Sequence, residues 1–295
     1  MKQERKNWFT FLTRDSHYQF PGMTLSVLTM GAIVAFLVFL HEQFGVLSVK
    51  IPSSFHTVLG LVTGLLLVFR TNTAYDRWWE GRKQLGTLLN TCRCLILKYD
   101  AFLDENLPEK RILQQLIIAF SWSMKQHLRD ADYLESGRFL PKIYENDFHL
   151  SNHKPMYVLD VHMKVLNKLR KEQTLLGEHL IVLEKEIAAL VSVLGACERI
   201  RNTPIPMGYG LHLKRILLLY IITLPIGFIE DLSWGAVPII MIVFYTMVGI
   251  ELIGEEIEDP FGTDPNDLPV DMIVDRITNN SLEFMDTIAA DEVEA

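Results

Sequence analysis

The chain has 295 residues, 49% of them hydrophobic and 22% charged, with a formal net charge of −8 and a mean hydropathy of +0.18. The acidic balance argues against nucleic acid as a partner, because neutralising phosphates needs clustered Lys and Arg. So large an apolar share beside so many charges requires the two to be segregated, and the apolar mass does concentrate in residues 23–69 and 214–254.

Residues 1–22 mix Lys2, Arg5, Lys6 and Arg14 with Trp8, Phe9, Phe11 and Leu12, so they form no signal-peptide core and read as an amino-terminal arm. A hydrocarbon core about 30 Å thick needs roughly 20 apolar residues. Met23–Leu40 meets this without a charge, and Ile51–Phe69 meets it with His56 as its one titratable group and Pro52 in its first turn. Residues 70–213 carry helix-period patterns: 81–103, 108–128 starting at Pro108, and 176–200. In the last of these Leu176, Leu180, Leu183, Ile187, Leu190, Leu194 and Cys197 alternate spacings of three and four. Residues 129–156 are polar and read as a connector, and Pro204 and Pro206 end the last pattern.

Arg215–Ile229 and Trp234–Ile250 form a third and fourth span, a hairpin expected to turn at Glu230-Asp231. An acidic segment, 255–275, follows, and residues 276–295 read as a solvated or disordered tail. The competing reading makes the four apolar runs buried core helices of a soluble protein. Lys and Arg flank the inner ends (Arg14, Arg70, Arg77, Arg82, Lys83, Lys214, Arg215) while the loops 42–50 and 230–233 hold one lysine between them, so both termini and the central region face the cytoplasm. The three cysteines, Cys92, Cys94 and Cys197, show no paired metal or disulfide spacing.

Two features point to function. Leu61, Leu65 and Phe69, at i, i+4 and i+8, lie on one helix stripe that runs into Arg77-Trp78-Trp79. Such a stripe reads as packed core, or, if several copies surround an axis, as stacked apolar rings that gate ions by dewetting. Arg77-Trp78-Trp79 suits a membrane–water boundary. Second, Glu251, Glu255, Glu256, Glu258, Asp259, Asp264, Asp267 and Asp271 crowd 21 residues, with no Lys or Arg between Arg215 and Arg276. Arg70, Arg77, Arg82 and the amino-terminal arm are the expected partners of this inter-subunit or inter-helix clasp. Asp264-x-Asn266-Asp267 lacks the glycine and glutamate of an EF-hand, which leaves Asp264 and Asp267 as weak calcium candidates. No catalytic group set is visible, so an enzyme is not expected.

The run Asn72-Thr73-Ala74-Tyr75-Asp76-Arg77-Trp78-Trp79-Glu80-Gly81-Arg82, with Glu258-Asp259-Pro260-Phe261-Gly262-Thr263-Asp264 and Asn266-Asp267-Leu268-Pro269, resembles the bestrophin family, in particular its bacterial homologues, over roughly residues 5–272. The resemblance implies an all-α, multi-pass homopentamer in the bacterial plasma membrane that passes small monovalent ions, usually chloride, with cation-selective bacterial members. It implies a neck at Leu61, Leu65 and Phe69 and a second, cytoplasmic aperture at His179, Leu180 or Ile181. The acidic run of the animal members forms a calcium clasp, and here Thr263, Pro265 and Asn266 interrupt it. The net charge of −8 mildly favours cations. The alternative function is a membrane-anchored scaffold or signalling protein that conducts nothing.

Overall fold

A computed structural model describes residues 22–45 and 52–294, except for the side chains of Ser53 and of 286–294. The expected arm lies outside the described residues save for Gly22. Ten α-helices follow: α1 Met23–Phe44, α2 Ser53–Phe102, α3 Pro108–Leu128, α4 Leu134–Arg138, α5 Glu145–Leu150, α6 Lys154–Lys171, α7 Gly177–Asn202, α8 Met207–Leu232, α9 Ala236–Glu258 and α10 Val270–Glu294. Among the described residues there is no strand. The described residues divide into two compact units, one of those up to Asp76 with 204–258 and 264–266, the other of 77–203, 259–263 and the described residues from 267 on.

The first unit holds α1, the first half of α2, α8 and α9. Met23–Phe44, Ser54–Phe102 and the stretch Met207–Glu258 are each long and apolar enough to cross a membrane, and only 22%, 22% and 17% of their most apolar windows are buried. A soluble core helix would hide most of such a window, so the soluble reading fails and the fold is that of a multi-pass membrane protein with four transmembrane helices. Val34 and Val38 of α1 pack with Tyr220, Leu224 and Ile229 of α8 and Ile240 of α9, while Leu67 of α2 packs with Leu213, Leu217 and Ile221. His56 is buried, its Nε2 lies 2.9 Å from the Thr223 carbonyl, and Gly227 makes room for its ring, since a Cβ there would sit 2.6 Å from Cε1.

The α8–α9 turn differs from expectation. Helix α8 continues through Glu230-Asp231, and the chain reverses at Ser233, whose φ is 45°, in the 3-10 turn Ser233–Gly235. The acids only decorate the last helical turn; the reversal is held by the Glu42 carboxylate of α1, which accepts from Ser233 Oγ and from Trp234 Nε1. Pro52 likewise sits just ahead of α2, where its carbonyl accepts from the Phe55 amide.

The second unit is a helical bundle with one core of Leu85, Leu88, Leu95, Tyr99, Phe120, Leu166, Leu183, Leu190 and their neighbours. The seam read on α7 is buried at Leu180, Leu183, Ile187, Leu190, Leu194 and Cys197; Leu176 alone is exposed, because it is the residue ahead of the helix. The connector 129–156 contains α4, a 3-10 turn and α5. The expected solvated tail is helical: α10 places Ile273, Val274, Ile277, Ser281 and Met285 inward at helical spacing, and Ser281 Oγ donates to the Gln114 carbonyl of α3. Small and polar members of that stripe hid its period in the sequence.

Candidate functional site

Helix α2 runs unbroken for 50 residues, so the stripe and the Arg-Trp-Trp motif share one element. Leu61, Leu65 and Phe69 are 73%, 54% and 55% exposed, whereas Thr63, Leu67 and Arg70 on the opposite side are buried. The core reading of the stripe therefore does not hold within the chain. The hydroxyl hydrogens nearby are used locally: Thr63, Thr71 and Thr73 each donate to the carbonyl four residues back, at 2.7, 2.8 and 2.9 Å.

Directly after Phe69, buried Arg70 is anchored by α9. Its guanidinium lies 3.3 Å from Glu258 and 3.9 Å from Glu251, and Lys214 of α8 adds 2.8 and 2.9 Å bonds to Glu255 and a 3.6 Å contact with Glu251. Glu258 also accepts from the Ile205 amide, and Glu256 accepts from the backbone and side chain of Asn266. Arg70 thus meets the acids as expected. Lys214 was legible too, facing the acidic end of the neighbouring helix in a hairpin.

Arg77 reaches partners outside the acidic run. It donates to the carbonyls of Ile200, at 2.5 Å, and Thr203, the last turn of α7, where unpaired carbonyls and the negative helix end favour a cation. Trp78 packs on the bundle core and stacks with the more exposed Trp79, their centroids 6.5 Å apart. Gly81 explains why the Arg-Trp-Trp and Pro-Phe-Gly motifs belong together: a Cβ there would lie 2.9 Å from Leu268 and 3.2 Å from the ring of fully buried Phe261. The Phe261 carbonyl accepts from Arg129 Nε at 2.9 Å, and Arg129, just past α3, and Lys125 of α3 both hold Asp271, at 2.9 and 2.6 Å. Burial alone would raise the Asp271 carboxyl, but these two cations outweigh it and hold it below the usual range. Nothing in the acidic run itself signals Lys125 and Arg129, which lie some 140 residues earlier.

Asp259 and Asp264 are exposed, and Asp267 is half-buried with an oxygen 2.6 Å from where a Gly262 Cβ would stand. Of the aperture candidates, Leu180 is in the core, His179 stacks on Phe102 with centroids 4.1 Å apart, and Ile181 is 68% exposed. Among the described residues, the group whose ligand atoms converge closely enough to share a metal ion is His127, His153 and Glu198, which does not include Asp264 or Asp267.

The family described as bacterial/fungal bestrophin protein matches residues 1–283. This chain belongs to the bestrophin family. It is 35% identical to a voltage-dependent anion channel-forming protein of Nostoc sp., covering 95% of this chain and 92% of the relative. It is 37% identical to a protein of the same description from Synechocystis sp., covering 78% and 77%. The crystal structure of a bacterial bestrophin homologue from Klebsiella pneumoniae, carrying a point substitution, superposes with a TM-score of 0.80 at 29% identity over 89% of this chain and 97% of that one. The family is one of ion channels and not of enzymes, in keeping with the absence of a catalytic motif from the sequence.

Proposed function

We propose that this chain is the pore-forming subunit of an ion channel, five copies of which surround an axis in the bacterial plasma membrane, with both termini cytoplasmic. The observation that carries the reading is the exposed stripe Leu61, Leu65 and Phe69 on a membrane-crossing helix of a bestrophin. An apolar face left uncovered by its own chain is satisfied by lipid or by further copies; arranged about an axis, three stacked rings make a neck that hydrated ions cross only when it is wide enough to stay wet. The Arg70–Glu258 pair fixes the helix just past Phe69, so the rings keep their register. Ile181, the exposed apolar residue among the aperture candidates, narrows the path a second time.

The relatives' names describe anion channels. An apolar ring carries no sign preference, so the sign belongs to charges elsewhere along the path. Purified protein in liposomes is expected to pass small monovalent ions, with Leu65→Ala and Phe69→Ala raising the flux several-fold, and the reversal potential under a single-salt gradient reads the sign. Flux equal to that of empty liposomes in wild type and both variants would remove the channel reading.

A further inference from the structure

Away from the stripe, and independent of the conduction reading, the bundle brings together three ligand-type side chains that no sequence motif joins. His127 ends α3, His153 caps the start of α6, and Glu198 lies near the end of α7. Both imidazoles aim Nε2 at the same oxygen, Glu198 Oε1, at 2.8 and 2.7 Å, and their ring centroids are 4.7 Å apart. All three side chains are half-buried, at 24%, 39% and 25% exposure, close enough to solvent for an ion to enter.

We propose that His127, His153 and Glu198 form a site for a divalent transition-metal ion of the zinc class. Two imidazoles and one carboxylate are the donor set such ions take with a fourth position left to water, whereas calcium and magnesium want oxygen alone. A tetrahedral ion with bonds of about 2.0–2.1 Å holds its ligand atoms roughly 3.3 Å apart, so each Nε2–Oε1 contact must open by roughly 0.6 Å. Rotation of three half-exposed side chains supplies that. Tyr133 Oη, 3.2 Å from His127 Nδ1, accepts a hydrogen bond from Nδ1–H in the tautomer that leaves Nε2 free as a ligand, the usual outer support of a metal histidine. His153 has its Nδ1 on the Met156 amide at 3.3 Å, so binding moves its proton to Nδ1 and hands that exposed amide to water. The neighbouring cation Arg201 is occupied by Asp130 and the His127 carbonyl, and Lys154 by the His149 and Ser151 carbonyls. A bound ion would tie α3, α6 and α7 together at one point.

The test uses the full chain in detergent, stripped of metal with a chelator and titrated calorimetrically with Zn²⁺ near neutral pH, with Co²⁺ absorption as a second readout. One ion per chain is expected, with a tetrahedral Co²⁺ spectrum, a rise in Tm, and no competition from Ca²⁺. Glu198→Gln and His153→Gln, which keep size and polarity, should each lower affinity at least tenfold, and Tyr133→Phe about 10–100-fold. The metal-free Tm of each variant reports folding separately. Unchanged stoichiometry and affinity in both ligand variants, or no binding by wild type, would overturn the site.

Discussion

His162 of α6 is fully buried, and neither ring nitrogen makes a well-formed hydrogen bond. Burial lowers it to about 4, and the nearby Leu113 and Val158 carbonyls offset this only in part. The unfolded chain therefore takes up a proton near pH 6.5 that the folded chain refuses until about 4, so the contribution is complete above the unfolded value and is lost as pH falls between the two. Stability against thermal unfolding should fall with pH over that window, with a slope near 1.4 kcal/mol per pH unit from this residue. His162→Leu should flatten the profile, and an unchanged slope would contradict the assignment. The thiols are a second check at this scale: Cys92 and Cys197 are buried and pushed up to about 12, while Cys94 is exposed. Maleimide should label no more than one thiol per folded chain, and none in Cys94→Ser.

At the scale of elements, two joints carry the fold. The α2–loop joint closes over Gly81, where a valine would press into Leu268 and Phe261. Gly81→Val is expected to cost about 1–3 kcal/mol, read as a lowered Tm, because a filled core answers added volume with strain. The α2–α9 joint is Arg70 between Glu251 and Glu258. Arg70→Ala strands buried carboxylates and should cost about 3 kcal/mol, with Lys214 still relieving Glu251. Adding Glu258→Gln to Arg70→Ala should recover part of that loss, since it removes the charge that the arginine faced; no recovery would show that the pair is not what the arginine contributes.

For the whole molecule, the apolar windows of α1, α2, α8 and α9 remain largely uncovered by the chain itself, so the folded state requires an apolar surround such as lipid. The mass of the protein in detergent, measured by light scattering with the detergent contribution subtracted, should correspond to five chains. A monomer that still conducted would remove the axial arrangement of Leu61, Leu65 and Phe69 while leaving the spans intact.

The sequence by itself determined what depends on local composition and period: four apolar spans, the α7 seam, and the stripe set ahead of Arg77-Trp78-Trp79. Hydrophobic length and helical spacing are properties of contiguous residues, and they survive without knowledge of neighbours. Only tertiary structure decided what depends on distant partners. Helix α10 is helical because α3 covers its mixed stripe, the hairpin turns at Ser233 because Glu42 holds it, and Arg77 donates to carbonyls at the end of α7. Glu255 and Glu258 of α9 and Asp271 of α10 find Arg70, Lys214, Lys125 and Arg129 on or beside three other helices. His127, His153 and Glu198 meet across 71 residues of chain, a convergence that no local pattern encodes.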